Sequence, residues 1–114
     1  EQLVRACGIT NLWTVDAYDL TETNAALQAA LASGGPAVVI ARRPCILIER
    51  NAVRESLEID ADLCKRCKAC LKVGCPAIEF TGGVVRIDLV MCTGCGVCRQ
   101  VCKFGAMRKA GAAQ

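Results

Sequence analysis

Residues 59–102 read IDADLCKRCKACLKVGCPAIEFTGGVVRIDLVMCTGCGVCRQVC, and eight of the chain's ten cysteines fall here into two near-copies of one spacing. The first is Cys64-x2-Cys67-x2-Cys70-x4-Cys75, followed by Pro76; the second is Cys92-x2-Cys95-x2-Cys98-x3-Cys102. Three thiolates at intervals of three residues wrap one face of an iron-sulfur cube with the intervening amides turned toward the sulfides. The pattern points to two [4Fe-4S] clusters and to electron transfer.

The repeat extends beyond the cysteines. Ile59-Asp60-Ala61-Asp62-Leu63-Cys64 aligns with Ile87-Asp88-Leu89-Val90-Met91-Cys92 at an offset of 28 residues, so two copies of one supersecondary unit are implied. The spacing resembles that of two-cluster bacterial ferredoxins, in which the remote fourth cysteine of each motif serves the other cluster. By that resemblance cluster I would use Cys64, Cys67, Cys70 and Cys102, and cluster II would use Cys92, Cys95, Cys98 and Cys75.

Other uses of cysteine fit less well. Structural zinc usually takes paired CxxC knuckles, often with histidine, whereas this chain has triple runs and no histidine. A disulfide between cysteines two residues apart closes a strained loop. A Rieske-type centre needs histidine.

The 114 residues have room for one ordinary domain or two small ones. Residues 61–114 hold only two aromatics, Phe80 and Phe104. Iron-thiolate bonds would have to replace the missing apolar burial, and the cluster-free form is expected to be largely unfolded. No apolar run approaches the ~18–20 residues that span a bilayer, and the N-terminus lacks the regions of a signal peptide. A cytoplasmic, reducing compartment is expected, with neither membrane nor nucleic acid as partner.

The chain begins at Glu1, on what reads as the end of a helix closed by Gly8, as if cut from something longer. An apolar stretch over 9–15 predicts a strand. Asp19 and Thr21 are both possible caps for a helix through 24–31, whose alanines and Leu27 and Leu31 give it an apolar face. Gly34-Gly35-Pro36 ends that helix, and 37–41 is a short apolar strand of the kind buried in parallel sheets. Strand, helix, strand is one βαβ crossover, which cannot cover both faces of its own sheet and needs a larger one to join. Residues 46–58 read as a connector. Thr81-Gly82-Gly83 marks a hairpin between the two cysteine motifs.

With the βαβ end, Ala41-Arg42-Arg43-Pro44-Cys45 and the paired motifs in this order, the chain resembles the C-terminal part of the alpha (large) subunit of indolepyruvate:ferredoxin oxidoreductases, whose first motif also continues Cys-Pro-Ala-Ile, as residues 75–78 do here. The resemblance implies an α+β chain in three parts: 1–45, the terminal βαβ segment of a thiamine diphosphate-binding α/β module; 46–58, a connector; and 59–114, a ferredoxin-like domain with two [4Fe-4S] clusters. It implies an enzyme that oxidatively decarboxylates aryl-pyruvates with coenzyme A and reduces ferredoxin. No Gly-Asp-Gly segment for magnesium and the diphosphate is present in these residues. Thiamine diphosphate and Mg2+ are therefore expected only in the full-length enzyme, no residue here is expected to be catalytic, and this segment is expected only to transfer electrons. Implied partners are the rest of the alpha subunit, a smaller beta subunit and an external acidic ferredoxin. Two departures stand out: the first motif has four residues before its last cysteine where simple ferredoxins have three, and Lys103 follows Cys102 where proline is usual.

Charge agrees with docking. Residues 61–114 carry nine basic and three acidic side chains, a formal +6. Two clusters at −2 each would leave about +2, suited to an acidic partner, although the bases could equally be solvated counter-charge. Cys7 and Cys45 are expected to be small buried apolar residues, with Cys45 the candidate for a place near the active site of the full enzyme. Arg42 and Arg43 read as strand-end surface charges, Trp13 and Tyr18 as packing of the βαβ unit, and Phe80 and Phe104 as shields between clusters and water. The competing readings are a small ferredoxin-type carrier or the ferredoxin subunit of another redox complex, and a non-redox protein with structural clusters or zinc.

Overall fold

The computed structural model describes residues 1–48 and 55–111. The chain forms two compact units, Glu1–Ile48 and Glu49–Gln114, each α+β in part or whole. Of the connector expected at 46–58, residues 49–54 lie outside the described residues.

The first unit contains α1 (Gln2–Ala6), β1 (Asn11–Asp16), α2 (Leu20–Ala32) and β2 (Ala37–Arg42). Gly8 ends α1 at φ +79, a conformation open to glycine because no Cβ meets the carbonyl oxygen. Asp19 is the N-cap of α2, its carboxylate accepting the Glu22 amide at 2.9 Å, while Thr21 lies inside the helix. Strands β1 and β2 pair in parallel from Asn11↔Ala37 to Asp16↔Arg42, with α2 as the crossover between them.

The helix seats Ala26 on the sheet, burying it with Val15 of β1, while Ala30 is half-buried and Ala25, Ala29 and Ala32 are exposed. Leu27 and Leu31, expected on the apolar face, instead point outward, and Leu31 is 87% exposed. The residues of β2 are half-buried or exposed, because two strands and one helix offer cover on one side only. Arg42 pairs with Glu1, and Arg43 pairs with Asp16 and stacks 4.3 Å over the Tyr18 ring, so both arginines are surface charges at the strand end. Cys7 and Cys45 are exposed, against expectation. Cys7 ends a short helix that buries none of its residues, and Cys45 lies past the end of β2.

The second unit is built from two two-stranded antiparallel sheets. One is a hairpin, β4 (Ile78–Thr81) and β5 (Val84–Ile87), joined by Gly82 and Gly83 at φ +61 and +76. Both central residues have positive φ, as the tight hairpin turn between right-twisted strands requires. The other joins β3 (Leu57–Ile59) to β6 (Met107–Lys109), bringing the two ends of the unit together. Strand β3 begins ahead of the boundary expected at residue 59. Leu57, Val85 and Met107 form the core with Cys70 and Cys98, so thiols supply part of its apolar centre.

Candidate metal centre

The offset of 28 residues is a structural repeat as well. Asp60 and Asp88 each fold their carboxylate back onto the chain: Asp60 Oδ1 accepts the amides of Asp62 (2.9 Å) and Leu63 (3.3 Å), and Asp88 Oδ1 those of Val90 (2.8 Å) and Met91 (3.3 Å). The amides of Cys64 and Cys92 then donate to the Asp60 and Asp88 carbonyls at 3.0 and 2.9 Å. Each triplet thus starts from a carboxylate-closed turn, the local bonding for which Asp is favoured outside helices.

Through the triplets the backbone alternates into the left-handed region at matching places. In the second copy these are Gly94 (φ +66) and Gly96 (φ +78); in the first they are Arg66 (φ +53) and Lys68 (φ +60). A side chain in that region costs about 1 kcal/mol relative to glycine. At 94 glycine is required twice over, since a Cβ there would lie 2.5 Å from the Glu55 carbonyl oxygen. After the triplets the copies diverge. The first continues as a 3-10 turn, Ala69–Val73, ended by left-handed Gly74, and the second as the one-turn helix α3, Val97–Val101. The extra residue before Cys75 is taken up at Gly74.

The remote cysteines are carried across by backbone bonds. The Asp88 amide donates to the Ala77 carbonyl, just past Cys75, and the Asp60 amide to the Ala106 carbonyl, past Cys102, both at 2.8 Å. Two cavities result. One is lined by Cys64, Cys67, Cys70 and Cys102 with Ile59, Phe104 and Met107. The other is lined by Cys75, Cys92, Cys95 and Cys98 with Leu57, Ile78 and Met91.

Electrostatics group the thiols in the same way. Burial pushes the Cys70 thiol up from its usual pKa, and the nearby charges of Cys64, Cys102 and Cys67 add to the effect. Burial pushes Cys98 up to about 11, with Cys95, Cys92 and Cys75 contributing. Such thiols stay protonated until something of high positive charge takes the proton's place. Among the described residues, no three Cys, Asp or Glu side chains converge on a position for a single metal ion. Four thiols spread around an apolar cavity are the donor set of a polynuclear iron-sulfur group, so the residues present fit a [4Fe-4S] cube in each cavity better than zinc. The amide of Leu57 donates to Cys92 Sγ at 3.4 Å, the kind of bond that tunes a cluster sulfur.

The surroundings of the two cavities differ. Asp60 is buried and paired with Arg108 at 3.0 Å, whereas the same turn at Asp88 has no basic partner among the described ion pairs. Arg108 Nε is itself buried without a hydrogen-bond partner. Phe104 lines the first cavity, but Phe80 lines neither and carries Lys68 4.0 Å above its ring, so only one of the two expected shields touches a thiol set. The Asp-turns and the Asp60–Arg108 pair escape a reading of the cysteine spacing, although the aspartates stand in register at the head of both repeats.

The unit of two short antiparallel sheets carries the two four-thiol cavities, and residues 56–103 match the family described as the 4Fe-4S dicluster domain. Over nearly its whole length the chain is similar to part of the indolepyruvate oxidoreductase subunit IorA: it is 37% identical to the Pyrococcus horikoshii protein over 96% of the chain, and 36% identical to the Methanothermobacter marburgensis protein over 97%. The chain spans about a fifth, 18%, of the length of each of these curated relatives. It is also 38% identical, over 54% of its length, to 28% of a dihydromethanopterin reductase (acceptor) from Methanosarcina mazei.

Proposed function

We propose that this chain is the electron-transfer segment of an indolepyruvate (2-oxoacid):ferredoxin oxidoreductase. The observation that carries the reading is the sorting of eight cysteines into two four-thiol cavities, in a chain similar to IorA subunits through both of its units. When bound, two [4Fe-4S] clusters supply one-electron storage and transfer. The chain's own residues hold them: Cys64, Cys67, Cys70 and Cys102 around cluster I, and Cys92, Cys95, Cys98 and Cys75 around cluster II. Leu57, Met107 and Phe104 limit water at the sulfurs, and the two Asp-turns set the start of each triplet.

In the whole enzyme, residues 1–45 are the βαβ end of the thiamine diphosphate-binding module, 46–58 the connector, whose last two residues run into β3, and 59–114 the cluster domain. The outward Leu27 and Leu31 support this, since a helix with unpartnered leucines fits a larger sheet assembly. Aryl-pyruvate decarboxylation with coenzyme A, thiamine diphosphate and Mg2+ belongs to the remainder of the alpha subunit with its smaller beta subunit. An acidic ferredoxin receives the electrons, in the reducing cytoplasm where thiols persist. No helix among the described residues is long and apolar enough to cross a membrane. The partial similarity to the Methanosarcina reductase favours, as a second reading, a ferredoxin-like module serving another redox complex.

Anaerobic reconstitution tests the core of this reading. About eight iron and eight acid-labile sulfide per chain are expected, bleached by dithionite. Stoichiometric zinc, or iron without redox activity, would overturn it. Loss of indolepyruvate-dependent ferredoxin reduction on removal of the clusters from the full enzyme separates the first reading from the second.

A further inference from the structure

The first triplet holds basic side chains where the second holds small ones. Lys65, Arg66 and Lys68 are exposed, and their counterparts 28 residues on are Thr93, Gly94 and Gly96. Two of the three occupy left-handed backbone, where glycine is the unstrained choice and is the choice made in the other copy. The strain at 66 and 68 falls on exposed residues, whereas a Cβ at Gly94 would meet the Glu55 carbonyl oxygen. Arg66 also lines a groove of about 460 Å³ that runs past Cys64 to the hairpin. Arg86 lines the same groove, with Val84, Val85 and the half-exposed Leu89, and Glu58 is the one acid on its lining. An apolar floor beside a cluster ligand, rimmed by guanidinium groups, has the anatomy of a protein interface for a carboxylate-bearing partner.

Resting on the proposed role in electron transfer, we infer that the acidic electron carrier docks on this groove, with its carboxylates on Arg66 and Arg86, so that electrons leave the chain through the Cys64–Cys67–Cys70–Cys102 site and not through the other. Docking there sets the carrier's oxidised iron-sulfur cluster beside Cys64. One electron crosses, the donor site is oxidised, the carrier is reduced, and no proton or covalent bond changes hands.

Binding of an oxidised, acidic two-cluster bacterial ferredoxin to the cluster-loaded holoenzyme, followed by biolayer interferometry at low and high salt, tests this without reference to turnover. Arg66→Glu and Arg86→Glu are each expected to weaken binding about tenfold or more at low salt, and Arg99→Glu, beside the second triplet, less than about twofold. Arg66→Gly keeps the experiment independent of folding, because glycine suits φ +53. It is expected to retain iron at least as well as the parent and still bind the ferredoxin several-fold more weakly. Unchanged binding in Arg66→Gly, or an Arg99→Glu loss equal to that of Arg66→Glu, would overturn the exit site while leaving the carrier reading intact. A parent enzyme that binds no acidic carrier at low salt would overturn both.

Discussion

The amide of Asp88 donates to the carbonyl of Ala77 at 2.8 Å, and this bond delivers Cys75, two residues upstream of Ala77, to the triplet that begins at Cys92. Its counterpart between Asp60 and Ala106 delivers Cys102 to the triplet beginning at Cys64. Replacing Cys75 with serine should therefore damage the cluster of the second triplet, and replacing Cys102 the cluster of the first. Each variant should keep about half the iron, with distinct signals in the electron paramagnetic resonance of the reduced protein. Spectra in which each substitution strikes its own triplet's cluster would refute the crossed ligation.

The two Asp-turns are equivalent in backbone but not in surroundings. Asp88→Ala removes the carboxylate that accepts the Val90 and Met91 amides at a partly exposed turn and should cost about 1 kcal/mol. Asp60→Ala removes the same bonds and also strips Arg108 of its partner in a mostly buried pair, raising the expected cost to about 2–3 kcal/mol after allowance for the guanidinium's partial exposure. Denaturant unfolding of the cluster-loaded protein measures both, and equal losses would deny the pair any role.

Gly94→Ala should be the most damaging glycine substitution in the cluster unit. A Cβ there meets both a positive φ and the Glu55 carbonyl oxygen at 2.5 Å, whereas at Gly82 it meets only the φ of +61. Costs of more than about 2 kcal/mol and about 1 kcal/mol follow for the two positions. Comparable stabilities of the two alanine variants in thermal unfolding would show that the chain at 55 yields easily.

Cluster loading should strengthen with rising pH. Cys98, held protonated up to about 11, and Cys70, shifted in the same direction, must each release a proton when iron binds. Iron retained against a chelator should fall from pH 8 to pH 6. For the cluster-free fold the sign follows from the raised pKa: the Cys98 contribution is intact below the ordinary thiol value of 9.0 and is lost as pH climbs through about 11. Iron retention that improves toward acid would contradict the protonated state of these thiols.

The parts of the molecule legible in the sequence are those whose chemistry is local. The triplets, the Gly82-Gly83 turn and the Asp19 cap each need only a few adjacent residues to declare themselves. The pairing of β3 with β6 is not of that kind, since Leu57–Ile59 and Met107–Lys109 are three residues each, too short to show an alternating pattern, and meet only through the whole cluster unit. The outward turn of Leu27 and Leu31 is illegible for a related reason: helical spacing shows which residues share a face but not whether a sheet lies against it. The orphaned Nε of Arg108 and the left-handed backbone at Arg66 and Lys68 depend on burial and φ, which no residue string carries, although the glycines at 94 and 96 stand in register with the second pair.

Because each cavity draws its fourth thiol from the far side of the other triplet, a cluster seated in either would need both halves of the repeat. Seating a cube among Cys64, Cys67, Cys70 and Cys102 would enclose the whole second triplet in a closed loop, and the entropy lost in closing that loop is then already spent when the second cube arrives. Assembly of the unsubstituted chain should accordingly be cooperative, with half-filled chains scarce at equilibrium unless, as in the Cys75 and Cys102 variants, one cavity lacks a ligand. The same dependence would bind the two copies as heritable units: a duplicated motif whose halves line each other's cavities can vary in its rim charges, as at Arg66 and Gly94, but losing either copy would strip the other cavity of a thiol.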